Sequence, residues 1–353
     1  MKINKEVLFQ TCKVLLQHYG APPSIAQKVV EDLFYNEYQG YSSHGVLRIP
    51  EYIREIDNKN ILPKNKPQSS RYSSNVTKVD GQKGFGCLSK EKVTSLLMSY
   101  LQKGDVGVVS LVNSGHFGRL GNIVAPVSQK GGIVIGFSNF SGSGQNVPPF
   151  GGTQGRLCTN PIVISVPGPS LDPLVLDMST TNVAEGKVRE AYLNGQKVPK
   201  GWLIDKDWMH ITDPKKFYEA PKTAFLCPLG SLNFGYKGFG LGLMTDILAG
   251  ILTGGGFSRE RPIFRGNSAF FIVIPCEIFG RSLNLFQKDL QELLSYISSC
   301  PPAKGFKNIK IPGLDTSRIE QEKTKTELII PKILWQEMCN FIKQNQLKLK
   351  KSG

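Results

Sequence analysis

Residues 40–53 of this chain read GYSSHGVLRIPEYI, and within that stretch Ser43, His44 and Arg48 fall inside six positions. The whole chain has only four histidines, so one set between a hydroxyl and a glycine invites a chemical reading. A free imidazole titrates near pH 6.5 and can pass a proton to a carbonyl oxygen. Ser43 can orient the ring by a hydrogen bond, and Gly45 leaves one side open. If the segment is helical, Arg48 lies one turn from His44 on the same face. Its planar guanidinium suits a carboxylate. A proton carrier beside a carboxylate clamp is what interconversion of a 2-oxo acid and its 2-hydroxy acid requires. His116 competes for the proton role, since NSGHFG puts it among glycines at the end of a strand, where active-site loops gather. Both histidines stay open as the acid/base, whereas His18 and His210 have no such neighbours.

Hydride chemistry also needs a cradle for a dinucleotide. The fingerprint G-x-G-x-x-G is absent, and the near misses Gly84-Phe-Gly86 and Gly142-Ser-Gly144 lack the third glycine. A Rossmann cofactor domain is therefore not expected. Two other glycine-rich stretches, NSGHFGRLG (113–121) and GYKGFGLG (235–242), each lie before an expected helix, where free N–H groups and the helix dipole favour an anion. Lys237 would add a point charge. The competing reading is that these glycines allow close helix packing. Asp177, at the end of LVLDM, reads either as a helix cap or as part of a phosphate-binding turn. No histidine has a second ligand at metal-binding spacing, and the nucleophile motif G-x-S-x-G does not occur.

The elements that must position these residues are legible from periodicity. Asn4 can cap a helix over KEVLFQTCKVLLQHY, and Ser24-Ile-Ala-Gln27 opens a second one as a capping box. Residues 62–75, rich in Pro, Lys and Ser, read as a linker. The β-branched runs DVGVVSLVNSG (105–115) and GGIVIGFSNFSGSG (131–144) flank a helical RLGNIVAPVSQK, which suggests a parallel crossover unit. Further strands are expected at NPIVISVPG, LVLDMS and AFFIVIP. GLGLMTDILAGILTG reads as a buried helix, apolar on most faces. Helical patterning returns after residue 284. The expected fold is mixed α/β. A helical unit is built from 1–75 together with 284–353, and a glycine-rich α/β unit spans 76–283.

Composition narrows the class. The net charge of +15 would suit nucleic acid, but most lysines sit beside acids, as in REIDNKN and RIEQEKTKTE, and the one dense run is the terminal LKLKK. With no aromatic-interleaved basic stripe, no nucleic-acid partner is expected; the excess favours a small anionic ligand. No apolar run approaches the roughly 18 residues of a membrane span, so no membrane partner is expected either. The N-terminus lacks a signal-peptide core. Seven scattered cysteines without C-x-x-C fit reduced thiols, and the expected location is the cytoplasm.

Six segments, taken in order, resemble the malate/L-lactate dehydrogenase family of the second type. They are SSHGVLRIPEY, NSGHFGRLGN, PPFGGTQGRLCTNPIVISVPG, LDMSTTNVAEGKV, VPKGWLID and GYKGFGLGLMTDILAGILTGG. The family includes sulfolactate, ureidoglycolate and diketogulonate oxidoreductases and cyclic ketimine reductases. The resemblance implies a non-Rossmann dinucleotide fold, an NAD or NADP cofactor, a small carboxylate substrate and a homodimer. It further implies that His44 donates the proton, with Ser43 orienting it and His116 named instead in some members. Arg48 would clamp the substrate carboxylate and Thr159 would touch the substrate. Phe117, Gly118, Arg119, Leu120 and Gly121, then Asp177, Met178 and Ser179, then Tyr236 and Lys237, match cofactor-contacting segments, and Gly313 falls in a late cofactor motif altered here to Pro312-Gly313-Leu314-Asp315. Ketimine reductases carry an aspartate where this chain has Lys187, which points to the keto-acid branch. Cyclic imine carboxylates, or silent dinucleotide binding, are the alternatives. Glu185, as a carboxylate near the cofactor, would repel a 2′-phosphate and tilt the choice toward NAD.

Overall fold

The Asn4 side-chain oxygen accepts the N–H groups of Glu6 (3.0 Å) and Val7 (3.2 Å), so the first helix starts at the cap its sequence provides. The computed structural model describes residues 1–347 apart from 143, 171, 260–264, 314 and 315. Leu314, Asp315 and the basic end from Lys348 lie outside the described residues.

The N-terminal part comprises β1 (Lys2–Asn4), α1 (Lys5–His18), α2 (Pro23–Tyr38), two short 3₁₀ turns at Ser42–His44 and Val46–Arg48, and α3 (Ile49–Asp57). The capping box at Ser24 is not formed: no side chain caps α2, because Pro23 takes the first turn, where its missing N–H leaves nothing unsatisfied. The middle holds β2 (Gln68–Ser73), β3 (Val76–Asp80), α4 (Gly86–Gln102), β4 (Gly107–Ser114), α5 (Gly121–Ser128), β5 (Gly132–Phe140), β6 (Ile162–Val166) and β7 (Leu174–Met178). Then come α6 (Glu185–Leu193), β8 (Leu203–Ile204), β9 (His210–Ile211), α7 (Lys215–Tyr218), β10 (Phe225–Leu226) and α8 (Ser231–Asp246), which continues as a π turn over Ile247–Ile251. The chain closes with β11 (Asn267–Pro275), α9 (Leu283–Ser298), α10 (Thr316–Thr324), β12 (Glu327–Ile329) and α11 (Lys332–Gln344).

A seven-stranded mixed sheet in the order β2-β3-β4-β11-β5-β6-β7 forms the centre. The alternating burial of β4, β5 and β11 drives Val109, Leu111, Val134, Phe271 and Val273 into one apolar cluster with α4 and α5. The expected crossover needs correction. The parallel pair is β3 with β4, joined through α4, whereas β11 enters between β4 and β5 and pairs antiparallel with both. The stretch 62–75 is also more than a linker, since it contributes the edge strand β2. A second cluster unites α1, α2 and α3 with Leu328, Leu334 and Met338 from the C-terminal end; β1 pairs with β12. Helix α9 has no buried residue.

Helix α8 departs most from its expectation. Its inward side carries Gly235, Gly238, Gly242, Thr245 and Asp246, while Phe234, Leu241, Met244, Ile251 and Leu252 are 41–62% exposed. The helix is thus apolar on its outer face. A Cβ at Gly238 would lie 2.3 Å from the Leu229 nitrogen, so the small side permits a backbone approach that larger residues would forbid. Among the described residues, no helix is long and apolar enough to cross a membrane.

Candidate active site

The 3₁₀ turns after α2 set the site, and a buried carboxylate sets the turns. Glu37, near the end of α2, accepts the Val46 N–H at 2.9 Å and lies so close to the chain that a Cβ on Gly45 would meet its Oε1 at 2.0 Å. Only glycine fits there. With the loop so pinned, Ser43 Oγ lies 3.0 Å from His44 Nδ1. Arg48 Nε donates back to the Ser43 carbonyl at 2.8 Å, and Nη1 donates to Glu51 Oε2 at 2.7 Å. Its remaining nitrogen, Nη2, stands 3.8 Å from Glu185 Oε2. Arg189 Nη1 donates to the same Glu51 oxygen at 2.8 Å. On α6, Gly186 presses on the loop: a Cβ there would come within 2.3 Å of Ser43 Cβ.

The two candidate histidines meet. The His44 and His116 rings stack with centroids 5.5 Å apart and planes 24° from parallel. The Tyr52 hydroxyl lies 3.1 Å from His116 Nδ1, fixing the second ring as Ser43 fixes the first. Burial, then His116, Arg48 and Arg119, hold His44 well below the usual imidazole range. Burial and Arg48 push His116 down to about 3. Burial opposes ionisation of Glu51, yet Arg48, His116 and Arg189 hold it below the usual carboxylate range. The site is therefore a neutral imidazole pair beside ionised arginines and a carboxylate. It can accept a proton from a hydroxyl, and an arriving anion would make it a donor.

The remaining expected residues are dispersed. Phe117 and Leu120 bury their side chains in the core, leaving only their backbone for a ligand. Gly118 has φ +76°. Arg119 stacks over Tyr41 at 3.5 Å and pairs with Asp177 at 3.4 Å. Asp177 itself accepts the Gly121 N–H at 2.8 Å, so this helix N-terminus already carries its anion. The 235–242 stretch does not precede a helix but lies within α8, where its glycines serve close packing. Tyr236 and Lys237 are exposed on that helix. Met178 ends β7, and Ser179 donates to the Thr181 carbonyl. The Thr159 carbonyl accepts the N–H and the hydroxyl of Thr180. Gly313 is exposed beside the start of β7. Lys187 reaches Glu190 at 3.1 Å. Glu185 faces Arg48 and accepts the Tyr218 hydroxyl at 2.5 Å, so it belongs to the clamp and gives no argument about a 2′-phosphate.

A dinucleotide fits the neighbourhood of Arg119 on one count in particular. Gln39 donates no hydrogen bond from its buried Nε2, although its oxygen accepts from Arg119 Nη1 at 3.2 Å. An amide or phosphate oxygen would satisfy that donor.

Sequence reasoning missed Glu37, Glu51, Tyr52, Arg189 and Tyr218. Glu51 and Tyr52 were readable, because Glu51 is three residues beyond Arg48 in the same segment. The others reach the site only through tertiary packing. Burial raises Glu37 to about 7 from 4.5, against the Val46 N–H and a Ser42 bond that favour ionisation. Between those pH values the folded chain keeps a proton that the unfolded chain loses, so stability falls as pH rises through the window. Glu37→Gln removes this dependence. Its stability gain over the parent should grow from pH 5 to pH 8, by up to about 3 kcal/mol; thermal melts showing a gap independent of pH would contradict this.

Comparison with known proteins agrees with the geometry. The malate/L-lactate dehydrogenase family model matches residues 3–339. The chain is 29% identical over 318 residues to an L-lactate dehydrogenase of Cupriavidus necator, covering 89% of each. It is 32% identical over 342 residues to an L-sulfolactate dehydrogenase of Methanocaldococcus jannaschii, covering 94% of each. A crystal structure of malate dehydrogenase from Entamoeba histolytica superposes with a TM-score of 0.85 at 25% identity, across 99% of this chain and 100% of that one. A loop that joins a buried imidazole to a buried guanidinium, a mixed α/β fold and a match over nearly the whole length converge on one statement: this chain belongs to the malate/L-lactate dehydrogenase family of oxidoreductases.

Proposed function

We propose that the chain interconverts a small 2-oxo acid and its 2-hydroxy acid, with the His44–His116 pair carrying the proton and Arg48 holding the substrate carboxylate. The observation that carries this reading is that one pinned loop joins Ser43, His44 and Arg48 by hydrogen bonds while His116, from the segment after β4, stacks on His44. A bound nicotinamide supplies or accepts the hydride. Arg48 offers Nη2 and the second N–H of Nη1 to the carboxylate, since Nε and one N–H of Nη1 are already engaged. In the oxidative direction the neutral His44 takes the hydroxyl proton. In the reductive direction the substrate's own charge offsets the cations that keep the pair neutral, so the proton enters together with the oxo acid.

We assign the dinucleotide, NAD or NADP, to the backbone of 117–121, to Met178 and Ser179, to Tyr236 and Lys237, and to Gly313. Thr159 is assigned to the substrate. In this arrangement 76–283 forms the cofactor unit, and 1–75 with 284–353 the clamp and subunit-contact unit. Seven free thiols fit a reducing cytoplasm. A second copy of the chain is the proposed cover for the outer face of α8, where Leu241, Met244 and Ile251 are exposed.

Three outcomes test the reading. His44→Ala should lower kcat/KM by about 10²- to 10⁴-fold in a spectrophotometric assay of reduced-cofactor oxidation, with cofactor affinity kept; full activity, with loss seen instead in His116→Ala, would transfer the role to His116. Arg48→Lys should raise KM for the oxo acid by about 10- to 100-fold; an unchanged KM would remove the clamp. Met244→Lys should shift the sedimentation coefficient from dimer to monomer, and a dimer that persists would place the contact elsewhere.

A further inference from the structure

The clamp has a feature that the reaction alone does not call for. Arg48 keeps one nitrogen free, and that nitrogen faces a second carboxylate. Glu51 is already shared between Arg48 and Arg189, whereas Glu185 stands off at 3.8 Å, too far for a hydrogen bond. Its other oxygen accepts the Tyr218 hydroxyl at 2.5 Å. Glu185 is the first residue of α6. The neighbouring Gly186 sits so close to Ser43 that a Cβ there would come within 2.3 Å of the Ser43 Cβ. Arg48 and Glu185 side chains are 10% and 25% exposed, so both border an opening rather than a sealed core.

Resting on the function proposed above, we infer that Glu185 is a specificity-determining residue that restricts the substrate to 2-oxo acids with a single anionic group, their tail uncharged or hydrogen-bond donating. Ser43 takes the Nε–H of Arg48 and Glu51 takes one N–H of Nη1, which leaves both N–H groups of Nη2 and the second of Nη1 for a substrate carboxylate. A carboxylate that engages Nη2 docks beside Glu185. Arg48 neutralises that first carboxylate. With that carboxylate bound, the two cations Arg48 and Arg189 face three anions, Glu51, Glu185 and the substrate's own, so the cluster is negative before a second anionic group arrives. A terminal carboxylate or sulfonate would meet Glu185 with like charge, in a setting where water screens poorly. A hydroxyl, amide or ammonium would find an acceptor. Lys222 acts on Glu185 from farther off; its ammonium donates to the neutral Asn146 oxygen and keeps its charge, which tempers the repulsion without contacting Glu185.

The test compares 2-oxobutanoate with oxaloacetate, which differ by a terminal carboxylate in place of a methyl, using NADH and NADPH with the parent chain, Glu185→Gln and Glu185→Asp. The parent should favour 2-oxobutanoate in kcat/KM. Glu185→Gln should raise the relative kcat/KM for oxaloacetate by about 10- to 100-fold, mostly through KM. Glu185→Asp should keep the parental preference. A parental preference for oxaloacetate, or a ratio unmoved in Glu185→Gln, overturns the inference while leaving the proposed function standing. If the parent reduces neither acid, the proposed function fails, and the inference is decided by calorimetric binding of lactate and tartronate. Tighter tartronate alone in Glu185→Gln would uphold it; equal changes for the two, or no binding of either, would overturn it.

Discussion

One buried guanidinium organises this molecule's chemistry. Arg48 is 9% exposed and would be costly to bury alone. The Ser43 carbonyl and the Glu51 carboxylate compensate it, and in doing so they fold the loop onto itself. The bond to Ser43 ties the cation to the residue that orients His44. The bond to Glu51 ties it to α3 and, through Arg189, to α6. The guanidinium proposed to hold the carboxylate and the imidazole proposed to carry the proton thus share one set of hydrogen bonds. What perturbs one perturbs the other.

The same cation shapes the imidazoles. Two stacked rings cannot both be protonated cheaply, and Arg48 acts on each of them. The outcome is an uncharged pair in a strongly charged surrounding. Such a pair is poised by its ligand rather than by bulk pH, since a bound anion is the missing counterweight.

The parts of the fold that were legible in the sequence are those decided locally. The Asn4 cap, the alternating strands and the Ser43–His44–Arg48 cluster each depend on neighbours a few residues away. The spacing put Arg48 one turn from His44 in a single helix; instead two 3₁₀ turns broken at Gly45 carry the two residues, and Arg48 is tied back to the Ser43 carbonyl. Non-local choices were not legible. Nothing within 105–144 announces that β11, more than a hundred residues later, will separate its two strands. The glycines of 235–242 satisfy a phosphate-loop pattern and a close-packing pattern equally well, and only the approach of Leu229 and Thr180 to Gly238 decides between them. Glu185 was noticed for its charge, but its nearness to Arg48 was not legible, because that distance is a property of how α6 docks.

That docking has a consequence for how the enzyme can change. Position 186 admits no side chain without driving Ser43 from its place, so it acts as a locked pivot. Its neighbours at 185 and 187 project from the same pivot, one toward the clamp and the other toward Glu190. On the proposed function, new substrate ranges are reachable by altering the residue that faces Arg48, with no need to rebuild the loop that carries His44.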